Sequence, residues 1–254
     1  MNKTGIIIQA RSGSSRLPNK IILPFFESYS ILDILLQRLL NVISNQIIVV
    51  ATTTSSQDDI IVQKCKEYDI QTFRGSENDV LNRFIDCADY FHFDNVIRIC
   101  SDNPFIGTES IVNLLNLISN VSEKYDYISY ITKEGVPSIK THYGLWGEAT
   151  TTKALKKVDQ LTKETIYHEH VTNYIYEHSE YFNLKFIPIP DEVSQHKKMR
   201  LTIDTIDDFV ILQKIYSLIL NNNLDVNLEN ILKILEENPD FYNIMQIQIN
   251  NNSK

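Results

Sequence analysis

The chain has 254 residues, 43% of them hydrophobic, and a formal net charge of -8. That size suits one large domain, or one domain carrying an inserted lobe, with enough apolar content for a substantial core, so disorder is not the default. The acidic balance argues against a general nucleic-acid binder, and Cys65, Cys87 and Cys100 lack the C-x-x-C spacing of a zinc or disulfide framework. No apolar run approaches the roughly 18 residues of a membrane span. The N-terminus enters a strand with no signal-peptide pattern. A cytoplasmic protein without nucleic-acid or membrane partners is therefore expected.

Ile6-Ile7-Ile8 is a short β-branched run that reads as a buried strand. A polar loop follows, with Arg11, Ser12, Gly13, Ser14, Ser15, Arg16 and Lys20 ahead of the first acidic residue, Glu27. Leu23-Pro24 stops any local helix, and Ile31 to Leu40 has helical spacing behind a cap at Ser30. Ile47 to Val50 reads as a second buried strand, and Asp58 to Tyr68 as a helix with Ile60, Ile61 and Cys65 inward. A strand near Ile70 to Phe73, a helix from Asp79 to Phe91 and a strand from Val96 to Cys100 come next. Ile111 to Ile118 is predicted helical and Tyr125 to Ile131 extended.

Strands alternating with helices predict an α/β domain with a mostly parallel sheet, whose ligands bind beyond the carboxyl ends of the strands. The polar loops at 10–20, 52–57, 74–78 and 101–104 all follow strands and are expected at that edge. The alternation breaks at Thr132. Residues 132–150, with three glycines and the only tryptophan, predict an irregular or hairpin insertion. Helices are expected over 151–157, 163–178, 207–220 (Thr205 as N-cap) and 227–237. Strands are expected over 184–190 and 201–203, with a frayed Asn-rich tail from 247 to 254.

The first loop has neither the P-loop nor the dinucleotide glycine spacing. Its cations and serines, placed after a strand, nevertheless suit a triphosphate. Arg11, Arg16 and Lys20 would neutralise it, residues 12–15 would donate hydrogen bonds, and Lys20 would stabilise charge on the phosphoryl group in transfer. Asp102 and Asp204 each sit at the end of a predicted strand. Each alone also suits a turn or helix cap, but the pair suits Mg²⁺, which takes one or two carboxylates and fills its shell with water and phosphate oxygens. The loop with Ser76, Asn78 and Asp79 is a candidate for reading a base, and Arg83 reads either as solvated or as an i+4 partner of Asp79. His168-Glu169-His170 does not place both rings on one helix face, and no G-x-S-x-G elbow is present.

Four segments carry a resemblance, in order: IIIQARSGSSRLPNKIILP (6–24), FRGSENDVLNRF (73–84), VIRICSDNPFI (96–106) and RLTIDTIDDF (200–209), with EHVTNYIYEH (169–178) more weakly. Together they resemble the CMP-sugar-acid cytidylyltransferases, which include the KDO and acylneuraminate enzymes, and within them the spore-coat-polysaccharide branch. The resemblance implies a Rossmann-related, GT-A-like nucleotidyltransferase fold: a single domain over 1–254 with 132–190 as an inserted substrate and dimerisation lobe, forming homodimers. It implies CTP and Mg²⁺, an acceptor attacking the α-phosphate, and release of pyrophosphate in surface-polysaccharide synthesis. By motif position, Arg11, Ser12, Gly13, Arg16 and Lys20 resemble nucleotide contacts, Ala10 a residue whose backbone meets the base, Ser76 and Asp79 the base-side loop, and Asp102 and Asp204 the metal ligands. Arg11, Lys20 and Asp102 are the residues expected to act in the transfer. Two departures stand out. Thr202-Ile203-Asp204 keeps one carboxylate of an Asp-x-Asp pair, and 141–148 does not match the sugar-acid pattern, so the acceptor is a sugar acid or a phosphorylated compound. The alternatives are a GT-A-like glycosyltransferase, which would show a D-x-D motif, and an inactive nucleotide-binding scaffold, which would lose Lys20, Asp102 or Asp204.

Overall fold

The computed structural model describes residues 2–120, 122 and 124–252. β1 (Thr4–Gln9) is its centre: Ile6, Ile7 and Ile8 are fully buried, Ile6 and Ile8 in one core and Ile7 in the other. An unbroken β-branched run has this meaning in a strand covered on both faces. A hairpin of β2 (Pro24–Phe26) and β3 (Tyr29–Ser30) leads into α1 (Ile31–Leu40), which starts at a Ser30–Asp33 capping box. Then come β4 (Ile48–Thr53), α2 (Asp59–Glu67), β5 (Gln71–Gly75), α3 (Val80–Tyr90), β6 (Asn95–Cys100), α4 (Thr108–Ser119) and β7 (Tyr127–Ile131).

The second half adds β8 (Glu148–Thr151), α5 (Thr152–Leu161), α6 (Thr165–Glu169), α7 (Asn173–Glu177), β9 (Leu184–Pro188) and α8 (Asp191–Gln195). It closes with α9 (Ile206–Asn221), α10 (Leu228–Glu237) and α11 (Asp240–Asn251). The seven-stranded sheet has the order β5-β4-β1-β6-β8-β7-β9. All its pairings are parallel except those of β8, which runs antiparallel to β6 and β7. The segment 132–190 thus supplies β8 and β9 to the same sheet. From β1 the chain steps out to β4 and β5, then returns to β6 on the other side. The strand order switches there, and in sheets of this kind ligands bind beyond the carboxyl ends of the strands, here those of β1, β4 and β6.

Four local expectations are corrected. Ile60 is 38% exposed, because a helix that buries Ile61 and Cys65 at i and i+4 turns its preceding position outward. The single helix expected over 163–178 is two short ones, α6 and α7, broken where Val171 and Thr172 are drawn into the interior and Thr172 donates to buried Glu148. Residues 201–203 form no strand. Their amides bond to loops instead, Leu201 to the His142 carbonyl and Ile203 to the Asp102 carbonyl. The tail is helical through Asn251, held by buried Met245 and by Gln248, which donates to Asp207. The tail's last two residues, 253–254, lie outside the described residues.

Candidate active site

The loop after β1 is pinned at its base by Asp58. One carboxylate oxygen of Asp58 accepts the Ser12 amide at 2.8 Å and the Ser12 hydroxyl at 2.5 Å. The other accepts the Thr52 hydroxyl at 2.9 Å and both the amide and the hydroxyl of Thr53. Burial opposes ionisation of Asp58, but the bonds from Ser12, Thr53 and Thr52 outweigh it and hold the carboxyl below its usual value. The Ser12 carbonyl takes the amides of Ser14 and Asn19, folding the loop back on itself. Asn19 makes that turn at φ 61°, a left-handed position that a short amide side chain tolerates. Ala10 is buried and its amide bonds to the Ala51 carbonyl. Glu77 reaches over Gly13, so that a Cβ there would meet its carboxylate at 3.4 Å; the first and third strand loops meet at this point.

The loop ends at Lys20, only 9% exposed. Its ammonium lies 2.8 Å from Asp102 and 3.7 Å from Asp204, and it donates to the Ile203 carbonyl. Arg16 pairs with Asp204 at 2.9 Å. Asp102 and Asp204, far apart in sequence, are therefore within reach of one cation. Asp204 does not stand at a strand end. Its placement comes from Arg200, fully buried, which donates to Asp204 at 2.8 Å and to Asp208 at 2.6 and 2.9 Å while its remaining nitrogen meets His142. Asp208 also takes the amides of Asp204 and Thr205 at the start of α9. Against the burial that would raise it, these Arg200 and backbone bonds keep Asp208 below the usual value. Two carboxylates reached by a single ammonium form a hard, oxygen-donor set that fits a small divalent ion.

The base-side loop is more committed to structure than its sequence suggests. The Asp79 carboxylate caps α3 through the Asn82 amide and accepts from the Asn82 side chain, with His168 Nδ1 at 2.9 Å. The exposed Ser76 hydroxyl accepts the Asp79 amide. Arg74 clamps the carbonyls of Thr53 and Ser55 and pairs with Asp59. Arg83 is neither solvated nor paired with Asp79. It is fully buried, and its Nη1 donates to the Ser76 carbonyl at 2.6 Å. Arg11 is half-buried with no ion-pair partner among the described residues.

The structure thus brings Arg16, Lys20, Asp102 and Asp204 into one cluster. Ser12 is held by Asp58 instead, Gly13 lies beside Glu77, and Ser76 and Asp79 are bonded to each other in the loop after β5. Sequence reasoning missed Asp58, Arg200, Asp208 and the structural role of His168. Only Asp208 left a local trace, the Thr205-x-x-Asp208 spacing of a capping box.

The Leptospira borgpetersenii protein titled a cytidylyltransferase superposes with a TM-score of 0.83 at 29% identity, over 95% of this chain and 97% of that one. The CMP:2-keto-3-deoxy-manno-octonic acid synthetase solved with CTP has a TM-score of 0.61 at 15% identity, over 87% of this chain and 100% of that one, a likeness of fold. In sequence, the Bacillus subtilis spore coat polysaccharide biosynthesis protein SpsF is 31% identical over 94% of this chain and 97% of its own length. An uncharacterised Methanocaldococcus jannaschii protein is 38% identical over 94% and 92%. The family model described as cytidylyltransferase matches residues 5–247, so the chain belongs to the cytidylyltransferase family and is a nucleotidyltransferase.

Proposed function

We propose that the protein transfers CMP from CTP to a sugar acid or a related acceptor, releasing pyrophosphate, in surface-polysaccharide synthesis. The observation that carries this reading is the meeting of Lys20 with Asp102 at 2.8 Å and Asp204 at 3.7 Å. It joins the cationic loop to a carboxylate pair where a triphosphate would be cleaved. Arg11, Arg16 and the loop backbone at Gly13 bind the phosphates, and Lys20 neutralises charge that grows during transfer. Ser12, whose amide and hydroxyl are both given to Asp58, fixes the loop instead of donating to the phosphates as its sequence position suggested. Asp102 and Asp204 would hold Mg²⁺, which supplies Lewis-acid stabilisation of the phosphate oxygens when bound. Arg200 and Asp208 keep Asp204 in place, and positioning accounts for much of the remaining rate. SpsF's own polysaccharide role and the CTP-bound synthetase support the direction of this reading.

The proposal extends to a cytoplasmic homodimer built on 132–190. Ile166 (54% exposed), Tyr181 (46%) and Leu161 (43%) favour it, being apolar surface that a second copy would cover. Incubating the protein with each nucleoside triphosphate, Mg²⁺ and panels of sugar acids and sugar phosphates tests the activity. Pyrophosphate is expected with CTP and one acceptor class, and Asp102→Asn is expected to lower its release by on the order of 10²-fold with the fold intact. Release from no pairing would sink the reading, and wild-type turnover in Asp102→Asn would remove the metal assignment. Sedimentation of the wild type checks the dimer.

A further inference from the structure

Arg83 lies on α3, 0% exposed, beneath the loop that follows β5. Its Nη1 is bonded to the Ser76 carbonyl, while Nε and Nη2 are buried without any hydrogen-bond partner. Those two nitrogens are not a random pair. They share the edge of the guanidinium opposite Cδ, the edge that presents two parallel N–H groups and grips two adjacent acceptors at once. Buried donors are almost always satisfied, so a whole vacant edge in the interior calls for a ligand.

The surroundings limit what that ligand is. Asp58, the buried carboxylate near Arg83, has both oxygens occupied by Ser12, Thr52 and Thr53. Glu77 is exposed and makes no bond to Arg83. Burial, and then the neighbouring Arg11 cation, pull the guanidinium down to about 10. The chain also keeps room for the stem: a Cβ on Gly75 would lie 2.8 Å from the Arg83 Cγ, so glycine lets it pass under the loop. Arg16 and Lys20 are taken up by Asp102 and Asp204, where phosphate would be held in the proposed reaction. Arg83 makes no contact with that carboxylate pair and is bonded instead to the Ser76 carbonyl, in the loop after β5.

We propose that the vacant Nε/Nη2 edge of Arg83 reads the pyrimidine ring of the nucleotide, donating to cytosine O2 and N3. These two atoms are adjacent acceptors, whereas uracil carries a hydrogen on N3 and opposes donor to donor. The edge is buried, and the neighbouring residues 76–78, whose Ser76 carbonyl holds Nη1, are exposed, so this loop is the segment that would yield to admit the ring. Arg83 is then the residue that separates CTP from UTP, a role resting on the cytidylyl-transfer reading above.

Calorimetric titration of the full-length protein with CTP, UTP, cytidine and inorganic pyrophosphate, each with Mg²⁺, tests it. The wild type is expected to prefer CTP over UTP by about 10- to 100-fold, the usual discrimination of a bidentate contact. Arg83→Met should bring the ratio close to one by weakening CTP and cytidine, while leaving pyrophosphate unchanged. Arg83→Lys should restore little of it, because an ammonium cannot reproduce the edge. A melting curve for each variant checks folding. In the wild type itself, the Arg83 Nε–H resonance of arginine-labelled protein should shift with cytidine and not with pyrophosphate. Equal loss for CTP and UTP would make the contact one to phosphate and overturn the inference, as would an unchanged ratio or an Nε–H resonance that follows pyrophosphate. A wild type that binds no nucleotide would remove the cytidylyl-transfer reading itself.

Discussion

Asp58 accepts five hydrogen bonds from three residues, Ser12 in the loop after β1 and Thr52 and Thr53 at the end of β4, and this makes it the hinge pin of the site. Replacing it leaves buried hydroxyls and amides without an acceptor, each costing about 1–3 kcal/mol before relaxation. Asp58→Ala is expected to lower stability by about 3 kcal/mol in urea denaturation and to raise the Kd for CTP, because Ser12 loses its anchor. A variant with normal stability and weakened CTP binding would assign Asp58 to the ligand instead of the loop. No local pattern marks this residue. In sequence it is one acid in Ser55-Ser56-Gln57-Asp58-Asp59, and its meaning comes from a loop 46 positions earlier. The meeting of Lys20 with Asp102 and Asp204, by contrast, was legible, since a cation in a Gly/Ser loop after a strand and two aspartates after later predicted strands are expected at one edge of the sheet.

At the scale of the element, α9 carries the most information. Its capping box of Thr205 and Asp208 is written in the sequence, and the structure shows both halves. What the sequence hides is that Asp208 also holds Arg200, so one carboxylate serves the helix start and the placement of Asp204. Thr205→Ala is expected to cost about 1 kcal/mol, the value of a lost cap, read from a thermal melt. Asp208→Ala is expected to cost about 3–5 kcal/mol, because it strands a buried guanidinium. The elements that escaped sequence reading share a cause. Residues 201–203 are bonded to loops instead of to a strand, the 163–178 helix breaks to bury Thr172, and α11 shows its amphipathic pattern only at Met245 and Gln248. Each is set by tertiary contacts that override local propensity.

Across the whole molecule, alternating strands and helices were enough to predict the parallel sheet, and β1 shows why: its run of isoleucines has to be covered on both faces. The reversal at β8 was not legible, because a strand of four residues, Glu-Ala-Thr-Thr, carries almost no periodic signal. The buried carboxylates tie overall stability to pH. Asp33, Asp58 and Asp208 are all held below the usual value of 3.8: burial opposes this in each and is outweighed by hydrogen bonds alone at Asp58, and by hydrogen bonds with an ion pair to Lys64 at Asp33 and to Arg200 at Asp208. A depressed carboxyl contributes stability that is complete above its unfolded value and lost as pH falls through the folded one. The melting temperature is therefore expected to be level above about pH 5 and to drop steeply below about pH 4, followed by circular dichroism. Loss of stability already between pH 7 and 5 would mean that histidine protonation governs it instead.

Around Asp204 the charges balance: Arg16, Lys20 and Arg200 stand against Asp102, Asp204 and Asp208. A neutral cluster is a poor trap for stray ions, since any divalent cation must evict an ammonium from its carboxylate. In the proposed reaction an incoming polyanion would change the arithmetic, drawing Arg16 and Lys20 toward itself and leaving Asp102 without its ammonium and Asp204 with Arg200 alone. The nucleotide would then open the carboxylates to its own counterion, with Lys20 as the placeholder until it arrives.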